Sequence, residues 1–277
     1  MFMTFSISNV ANACTVWQES KNAEKALEVL SPRLRRSSIE GQLLCGIRKH
    51  SSADLVNALR FIPRNTRLLY VHAYQSYIWN KVVAERVRTH KLQVLKGDLS
   101  ISCDDESKVT ILDENSIKNL SIYDIVMPLP GYDVSYPDNE LGALYSHLLS
   151  EDNLTVEQLN HRVKDYALKG AYRKWFEMPA DVIHKFVRYN EATVPLLPTD
   201  KDILERKEGA NSIVDGKYLA LIIEMTLSKS SYATIALREL MHSDSSFGYQ
   251  SELNKQFVDE SIAENEDVVS VDDDSNK

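Results

Sequence analysis

A serine-rich turn with one lysine, near the end of the chain, could bind an anion. The turn reads Ser228-Lys229-Ser230-Ser231, and the helix after it is predicted to begin near Tyr232. Free backbone amides in the first turn of a helix attract negatively charged groups, and the Lys229 ammonium would add to that attraction. The same serines also suit a capped turn that binds no ligand. The spacing alone supports both interpretations.

A basic cluster, Arg33, Arg35 and Arg36, lies between two predicted short helices, Asn22 to Leu30 and Leu43 to Lys49. We expect it to form a loop. Arginines in such a loop are well placed to contact phosphate groups. The alternative is a solvated loop without a partner, and the sequence does not separate the two.

The cysteines and histidines give no indication of a metal site. Cys14, Cys45 and Cys103 are widely spaced and form no Cys-x-x-Cys pair, so we expect structural thiols. The seven histidines show neither His-x-x-x-His nor His-Glu-x-x-His spacing. No metal and no cofactor are expected.

Composition is typical of a globular chain, since 277 residues that are 43% hydrophobic can bury a sizeable core. No run of eighteen apolar residues is long enough to cross a membrane. The first basic residue is Lys21, so the basic flank of a signal peptide is missing. We expect a nuclear or cytoplasmic protein.

Negative charge is concentrated at the end of the chain. From Glu252 onward, nine acidic residues face only Lys255 and Lys277, a balance of −7 out of the total of −8. Residues 1–251 therefore carry a net charge of only −1. Acidic segments with few apolar residues are usually disordered, so we expect a disordered tail over residues 255–277.

A long amphipathic helix is predicted from Arg67 to His90. Pro63 should end the element before it, and Asn65 or Thr66 can cap it. The simplest role of Gln75 and Asn80 is a hydrogen bond to neighbouring backbone. The adjoining polar face comprises His72, Gln75, Ser76 and Trp79. A core-facing stripe recurs at three- and four-residue spacing: Val71, Tyr74, Ile78 and Val82.

The other elements follow from shorter patterns. A strand-like segment with a turn at Lys96-Gly97-Asp98 is predicted over Gln93 to Ile101. Further strands are predicted at Lys108 to Leu112, Ile122 to Met127, Val182 to Tyr189 and Tyr218 to Leu227. Helices are predicted at Ala53 to Leu59, Leu141 to Leu149 and Thr155 to Tyr166, with an irregular loop from Glu191 to Gly216. In the last strand, the alternating apolar residues should form one face that is half buried against helices: Leu219, Leu221, Ile223, Met225 and Leu227.

Five segments occur in an order that resembles a known family. Leu68 to Val87 contains Gln-Ser and Trp-Asn pairs, and Tyr218 to Met241 contains Ser-Tyr-Ala-Thr followed by Arg-Glu-Leu. The shorter matches are Ile62 to Asn65, Val126 to Gly131 and Leu168 to Lys174. Together they resemble the TruD family of RNA pseudouridine synthases, and most closely its eukaryotic branch.

The resemblance implies an α+β fold, with part of the pseudouridine synthase catalytic sheet and the TruD-specific α/β insertion domain. Residues 1–13 are an unmatched N-terminal segment, and residues 14–210 correspond to the insertion domain with flanking helices. Residues 211–254 supply the C-terminal strand, turn and helix of the catalytic core, followed by the acidic tail.

The implied reaction converts uridine in RNA to pseudouridine, with an Asp carboxylate and no metal or cofactor. The implied partner is RNA: tRNA, with mRNA and snRNA as further candidates. The residues expected to line the cleft are Gln75, Asn80, Ser231, Tyr232, Thr234 and Arg238. Those expected to contact RNA are Arg64, Arg67, Lys169, Arg173, Lys174 and Lys229, with Tyr172 and Trp175 as aromatic neighbours.

The segment that carries the family's nucleophilic Asp, Gly-x-x-Asp, does not occur in this sequence. Gly131-Tyr132-Asp133 has the wrong spacing. We therefore expect the C-terminal part of such an enzyme, with no catalytic residue of its own. The alternative is a catalytically inactive RNA-binding or interaction module from a truncated product.

Overall fold

The computed structural model describes residues 2–102, 105–191, 193, 195–207, 212–229, 231–244 and 246–253. They form a mixed α+β structure that divides into two compact units, residues 1–176 and 177–277. Cys103 and the predicted tail lie outside the described residues. Within them, no helix is both long enough and apolar enough to cross a membrane.

The first unit begins with a small helical bundle. Polar side chains cap its short helices: Asn22 Oδ1 accepts from the Glu24 amide at 2.9 Å, and Ser38 Oγ accepts from the Gly41 amide at 3.0 Å. A buried apolar cluster that includes Leu27, Leu30 and Leu44 holds the helices together. The helices are α1 (Phe2–Ser20), α2 (Ala23–Glu28), α3 (Pro32–Ser37), α4 (Ile39–His50) and α5 (Leu55–Leu59).

The rest of this unit is a four-stranded antiparallel sheet with two longer helices. The strand order is β2-β1-β3-β4. The core between sheet and helices contains Ile78, Val82, Met127, Leu141 and Tyr145, all nearly or fully buried. The elements are α6 (Arg64–His90), β1 (Leu99–Ser102), β2 (Asp105–Ile111), β3 (Ile125–Leu129), α7 (Glu140–Glu151) and β4 (Ala171–Lys174).

A fully buried ion pair joins α6 to the turn that precedes β1. Arg86 donates from Nη1 to Asp98 Oδ1 at 2.8 Å and from Nη2 to Oδ2 at 2.7 Å. Both side chains have 0% exposure. Asp98 also accepts from the Leu95 amide and from Asn139 Nδ2, while Arg86 donates to the Gln93 carbonyl. These bonds satisfy both oxygens of the buried carboxylate.

The second unit is an antiparallel strand pair with two helices. Phe186 stands opposite Leu221, and the next pair is Val187 with Ala220. Val187 is buried, but Phe186 keeps 60% and Leu219 54% of its surface exposed. The elements are β5 (Ala180–Tyr189), α8 (Asp200–Leu204), β6 (Tyr218–Thr226) and α9 (Ala233–Met241).

Most predicted elements are confirmed within a few residues, but three predictions about the first unit are wrong. The arginines Arg33, Arg35 and Arg36 lie in α3, because Ser31 caps that helix and Pro32 begins it. Helix α6 begins at Arg64 rather than Arg67, with Pro63 at its N-cap and no side-chain cap. The predicted turn at Lys96-Gly97 is present, but Gln93 to Leu95 is irregular, so β1 begins only at Leu99.

Three other predictions need correction. The helix predicted over Thr155 to Tyr166 is replaced by two 3₁₀ turns, Glu157–Leu159 and Lys164–Tyr166. The segment Ile122–Asp124 is also a 3₁₀ turn, and β3 follows it. The loop predicted from Glu191 to Gly216 contains the short helix α8.

The apolar face of β6 is only partly covered. Ile223, Met225 and Leu227 are half buried, as expected, whereas Leu219 and Leu221 are exposed. The domain boundary predicted between residues 210 and 211 falls between β5 and β6, which pair with each other. The domain assignment itself stays a prediction.

Removing one partner of the buried ion pair should destabilise the first unit strongly. Asp98→Ala leaves the Arg86 guanidinium buried without its counter-charge, so we expect a loss of about 3–5 kcal/mol. Tryptophan fluorescence during urea unfolding measures this unit, because Trp17, Trp79 and Trp175 all lie in it. The matched control is Glu85→Ala, which breaks the exposed pair with Arg88. Exposed pairs contribute about 0–1 kcal/mol, so equal losses for both variants would contradict the role of Asp98.

The exposed apolar strand pair should make the isolated chain self-associate. Both strands have an outer edge without a strand partner among the described residues, and Phe186 and Leu219 add exposed apolar surface. Sedimentation velocity should show oligomers that Phe186→Lys plus Leu219→Lys shifts toward monomer. Leu55→Lys plus Leu92→Lys, at two residues that are each 51% exposed, is the control and should have little effect. A monodisperse wild-type monomer with a cooperative thermal transition would contradict this expectation.

Candidate functional site

Two of the five matched segments are neighbours in the sheet of the first unit. Strands β3 and β4 pair from Val126 opposite Lys174 to Leu129 opposite Ala171. Beyond the strands, the backbones approach so closely that a Cβ on Gly131 would lie 2.2 Å from the Gly170 nitrogen. Gly170 itself has a φ of +91°, which favours glycine. We call these two segments, with the α6 residues bonded to them, the motif junction.

Helix α6 is attached to the motif junction through side-chain hydrogen bonds. Gln75 Nε2 donates to the Pro130 carbonyl at 2.7 Å, and Trp79 Nε1 donates to the Met127 carbonyl at 3.2 Å. Gln75 and Trp79 are four residues apart and therefore lie on one face of the helix. Both are buried. Asn80 is exposed on another face. A third matched segment is thus joined to the first two.

Two tyrosines fix the backbone of the same loop. The Tyr136 hydroxyl donates to the Gly131 carbonyl at 2.9 Å and accepts from the Gly131 amide at 3.0 Å. The Tyr145 hydroxyl donates to the Pro128 carbonyl at 2.7 Å. Burial raises the pKa of Tyr136, and it raises the pKa of Tyr145 well above its usual value. Both hydroxyls therefore keep their protons at neutral pH.

The predicted RNA-contacting cations of the first unit have carboxylate partners at three positions. Arg64 Nε lies 2.9 Å from Asp165 Oδ1, and Arg67 lies 3.6 Å from the other oxygen. Arg67 is only 11% exposed and also donates to the Tyr166 hydroxyl at 2.8 Å. Lys169 pairs with Asp133 at 3.2 Å and stays 72% exposed.

The remaining predicted contacts of this unit lie on β4 and just after it. The Arg173 guanidinium lies 4.9 Å from the centroid of a Trp79 ring, and Lys174 is exposed. The Tyr172 hydroxyl accepts from the Ser135 amide at 2.6 Å. Trp175 packs against the buried Arg86 at 5.0 Å. The two aromatic residues thus have structural contacts, and their role toward RNA stays a prediction.

The predicted site residues of the second unit surround the start of α9. Ser228 and Ser231 form a turn, with their hydroxyls 2.8 Å apart. Tyr232 is the N-cap residue, makes no side-chain cap and is 61% exposed. The others, Lys229, Thr234 and Arg238, are exposed. The helix therefore begins where the sequence predicted, and its role in a cleft stays a prediction.

The motif junction is suited to a rigid scaffold with cations at its edge. Within the described ranges, no group of three His, Cys, Asp or Glu side chains could hold a metal ion.

The sequence analysis placed Trp79 on a polar face and missed its bond to β3. Its spacing of four residues from Gln75 was the available signal, because both then contact the same matched segment, Val126 to Gly131.

Comparison with known proteins matches most of the chain to the same family that the sequence motifs resemble. The family model of tRNA pseudouridine synthase D (TruD) matches residues 6–240. The chain is 40% identical over 242 residues to the pseudouridylate synthase 7 homolog of Homo sapiens, covering 87% of this chain and 36% of that protein. It is 31% identical over 280 residues to the multisubstrate pseudouridine synthase 7 of Schizosaccharomyces pombe, covering 92% of this chain and 41% of that protein.

A solved structure, the putative tRNA pseudouridine synthase D (TruD) from Methanosarcina mazei, shares the fold. Its TM-score is 0.61 at 23% identity, over 84% of this chain and 50% of that one. This chain thus spans about a third of the length of the eukaryotic relatives that it matches. On the family model and these relatives, the chain belongs to the TruD family of pseudouridine synthases, in its eukaryotic branch.

Proposed function

We propose that this chain is the RNA-contacting scaffold part of a TruD-type synthase that isomerises uridine to pseudouridine in RNA. The observation that carries the proposal is the motif junction. Three of the five matched segments, far apart in the sequence, are joined there by strand pairing and by the bonds of Gln75 and Trp79. The substrate is tRNA, with mRNA and snRNA as further candidates, and the location is nuclear or cytoplasmic.

The cations at the motif junction are the proposed contacts with the phosphate backbone. Phosphate contacts position RNA without reading its sequence, so exposed lysines and arginines suffice for this role. Lys169 and Lys174 are exposed, and Arg64 keeps 61% of its side chain exposed. Arg67 is held by Asp165 and Tyr166, so its contribution would be to fix the start of α6.

The catalytic carboxylate comes from outside this sequence in our proposal. No glycine in the sequence is followed three residues later by Asp, as the family's Gly-x-x-Asp requires. We propose that β5 and β6 belong to the catalytic sheet and that α9 belongs to the same catalytic domain. The first unit would then hold the insertion domain. The support is that the strand pair exposes apolar surface that a larger sheet would cover.

The second candidate function is an inactive RNA-binding or interaction module. The missing Gly-x-x-Asp segment favours it as well, because such a module needs no nucleophile. The two candidates differ in one test. A scaffold part should restore turnover when the Asp-bearing part of the synthase is supplied, whereas an inactive module should not.

The chain alone should not convert uridine to pseudouridine. Isomerisation releases the hydrogen at uridine C5, so tritium release from RNA labelled at that atom measures turnover. We expect release equal to a control without protein, because no residue of the chain supplies the nucleophilic Asp. A full-length relative is the positive control. Turnover by this chain above the background would contradict the proposal that the Asp lies elsewhere.

Removing residues 255–277 should strengthen RNA binding. The deletion takes away eight acidic and two basic residues and changes the net charge from −8 to −2. Repulsion between these carboxylates and RNA should fall most at low salt, where the Debye length reaches about 30 Å at 0.01 M. Titration with a short structured RNA at two salt concentrations measures the effect. Equal affinities of both chains at low salt would exclude a role for this segment.

Lys169→Ala plus Lys174→Ala should weaken RNA binding and reduce its salt dependence. Two lost phosphate contacts should lower the slope of log K against log salt by about 1.4 for single-stranded RNA. Arg173 is left unchanged because it packs on Trp79. The control is Arg88→Ala plus Lys96→Ala, which removes the same charge from two cations paired with Glu85 and Glu114. Unchanged binding of the first variant would show that the phosphate contacts lie elsewhere.

A further inference from the structure

Positive charge is concentrated in the helical bundle, outside the motif junction. Residues 2–60 contain eight Lys or Arg and five Asp or Glu, a net charge of +3. Since the whole chain carries −8, the remaining residues carry −11. A segment whose charge differs this much from that of the rest attracts a polyanion even when the whole protein is acidic.

Several cations of this segment lack a carboxylate partner. Arg48 approaches Glu24 only at 4.0 Å. Within the described residues, Lys49 and Arg60 are exposed and form no ion pair. A phosphate could therefore bind them without displacing a carboxylate. In the following elements, four cations do have an acidic partner: Lys81, Arg86, Arg88 and Lys96.

Two residues at the end of α4, Lys49 and His50, contact the ring of Phe61, which follows α5. Together with Arg60, the residue before Phe61, we call them the α4–α5 surface. Lys49 Nζ lies 5.6 Å from the Phe61 ring centroid, and the His50 ring packs edge-on against Phe61 at 5.9 Å. Phe61 remains 37% exposed. A partly exposed aromatic ring beside cations is the arrangement that stacks a nucleobase while holding its phosphate.

The acidic residue beside this surface is already bonded. Asp54 caps α5 and accepts from Asn57 Nδ2 at 2.7 Å. That hydrogen bond, with smaller effects of the His50 and Arg60 charges, holds the pKa of Asp54 below its usual range. Asp54 therefore stays ionised as a helix cap. The two nearby cations, Lys49 and Arg60, outnumber this one carboxylate.

An open groove adjoins the same end of α4. It has a volume of about 400 Å³, and its lining includes Trp17, Lys21, Arg48 and Ser52. Arg48 precedes Lys49 in α4, and Ser52 follows His50 two residues later. The groove also contains Glu24, the partner of Arg48, so it lies near the α4–α5 surface without being part of it.

We propose that the α4–α5 surface is a second RNA-contacting surface of this chain, separate from the motif junction. Lys49 and Arg60 bind phosphates, and Phe61 stacks on an unpaired base. The proposal rests on the proposed function, since it assumes that RNA is the substrate. The region gives the protein a second set of contacts with a folded RNA, made by other residues than those of the motif junction.

The first test compares two charge-matched double variants of the full chain. Lys49→Ala plus Arg60→Ala should lower the salt slope of binding to a single-stranded RNA by about 1.4 and weaken binding at low salt by on the order of tenfold. Arg88→Ala plus Lys96→Ala, with the same change in net charge, should leave binding nearly unchanged. Thermal unfolding of all variants checks their stability. Equal loss in both double variants would overturn the proposal, because only total charge would then matter.

The second test separates stacking from charge. Phe61→Leu keeps an apolar side chain without a flat ring, so it should weaken binding of a single-stranded oligouridine roughly fivefold or more, with the salt slope unchanged. Phe61→Tyr keeps the ring and should bind as the wild type does. Equal affinity of the Leu variant and the wild type would overturn the stacking role.

The outcomes distinguish this proposal from the proposed function. If Lys169→Ala plus Lys174→Ala weakens binding while Lys49→Ala plus Arg60→Ala does not, the proposed function stands and the second surface is overturned. If the wild-type chain binds no RNA at low salt, both are overturned. Loss of affinity in both of these pairs, but not in the control pair, supports two separate surfaces.

Discussion

The buried ion pair between Arg86 and Asp98 connects the helices and the sheet that follow the helical bundle in the first unit. Arg86 comes from α6, Asp98 from the turn before β1, and Asn139, which bonds the same carboxylate, caps α7 by accepting from the Leu141 amide. Trp175, just after β4, covers the guanidinium. A buried pair of this kind adds little net stability over an apolar replacement, because both charges lose their hydration. Its effect here is to fix one arrangement of helices and sheet.

The sequence predicted the elements with long, regular patterns and missed those set by tertiary contacts. The periodic stripe of α6 and the alternation of β6 were sufficient to identify both. Residues 155–166 also have apolar spacing typical of a helix. However, the chain turns back there so that the Leu168 amide reaches the Leu159 carbonyl at 2.8 Å, which two 3₁₀ turns allow and a continuous helix does not. No local pattern encodes that contact.

In the candidate site, too, the contacts between distant residues could not be predicted from the sequence. The motifs identified the family and the order of the segments, but not which side chains face a ligand. Gln75 is polar, and the fold gives it a partner 55 residues away, the Pro130 carbonyl, while its role in a cleft stays a prediction. Arg67 is likewise cationic in sequence but mostly buried against Asp165 and Tyr166. The type of a residue indicates which ligand groups its side chain could bind. Its hydrogen-bond and ion-pair partners in the fold decide whether the side chain is free to bind them.

The same distinction separates the two basic regions of the first unit. At the motif junction, a phosphate that binds Lys169 or Arg64 must compete with Asp133 or Asp165. Exposed ion pairs contribute only about 0–1 kcal/mol, so this competition is weak but real. At the α4–α5 surface, Lys49 and Arg60 form no ion pair within the described residues, so a phosphate bound there displaces no carboxylate. Free cations therefore suit non-specific capture of RNA, whereas paired ones suit a site where the carboxylate selects a particular geometry.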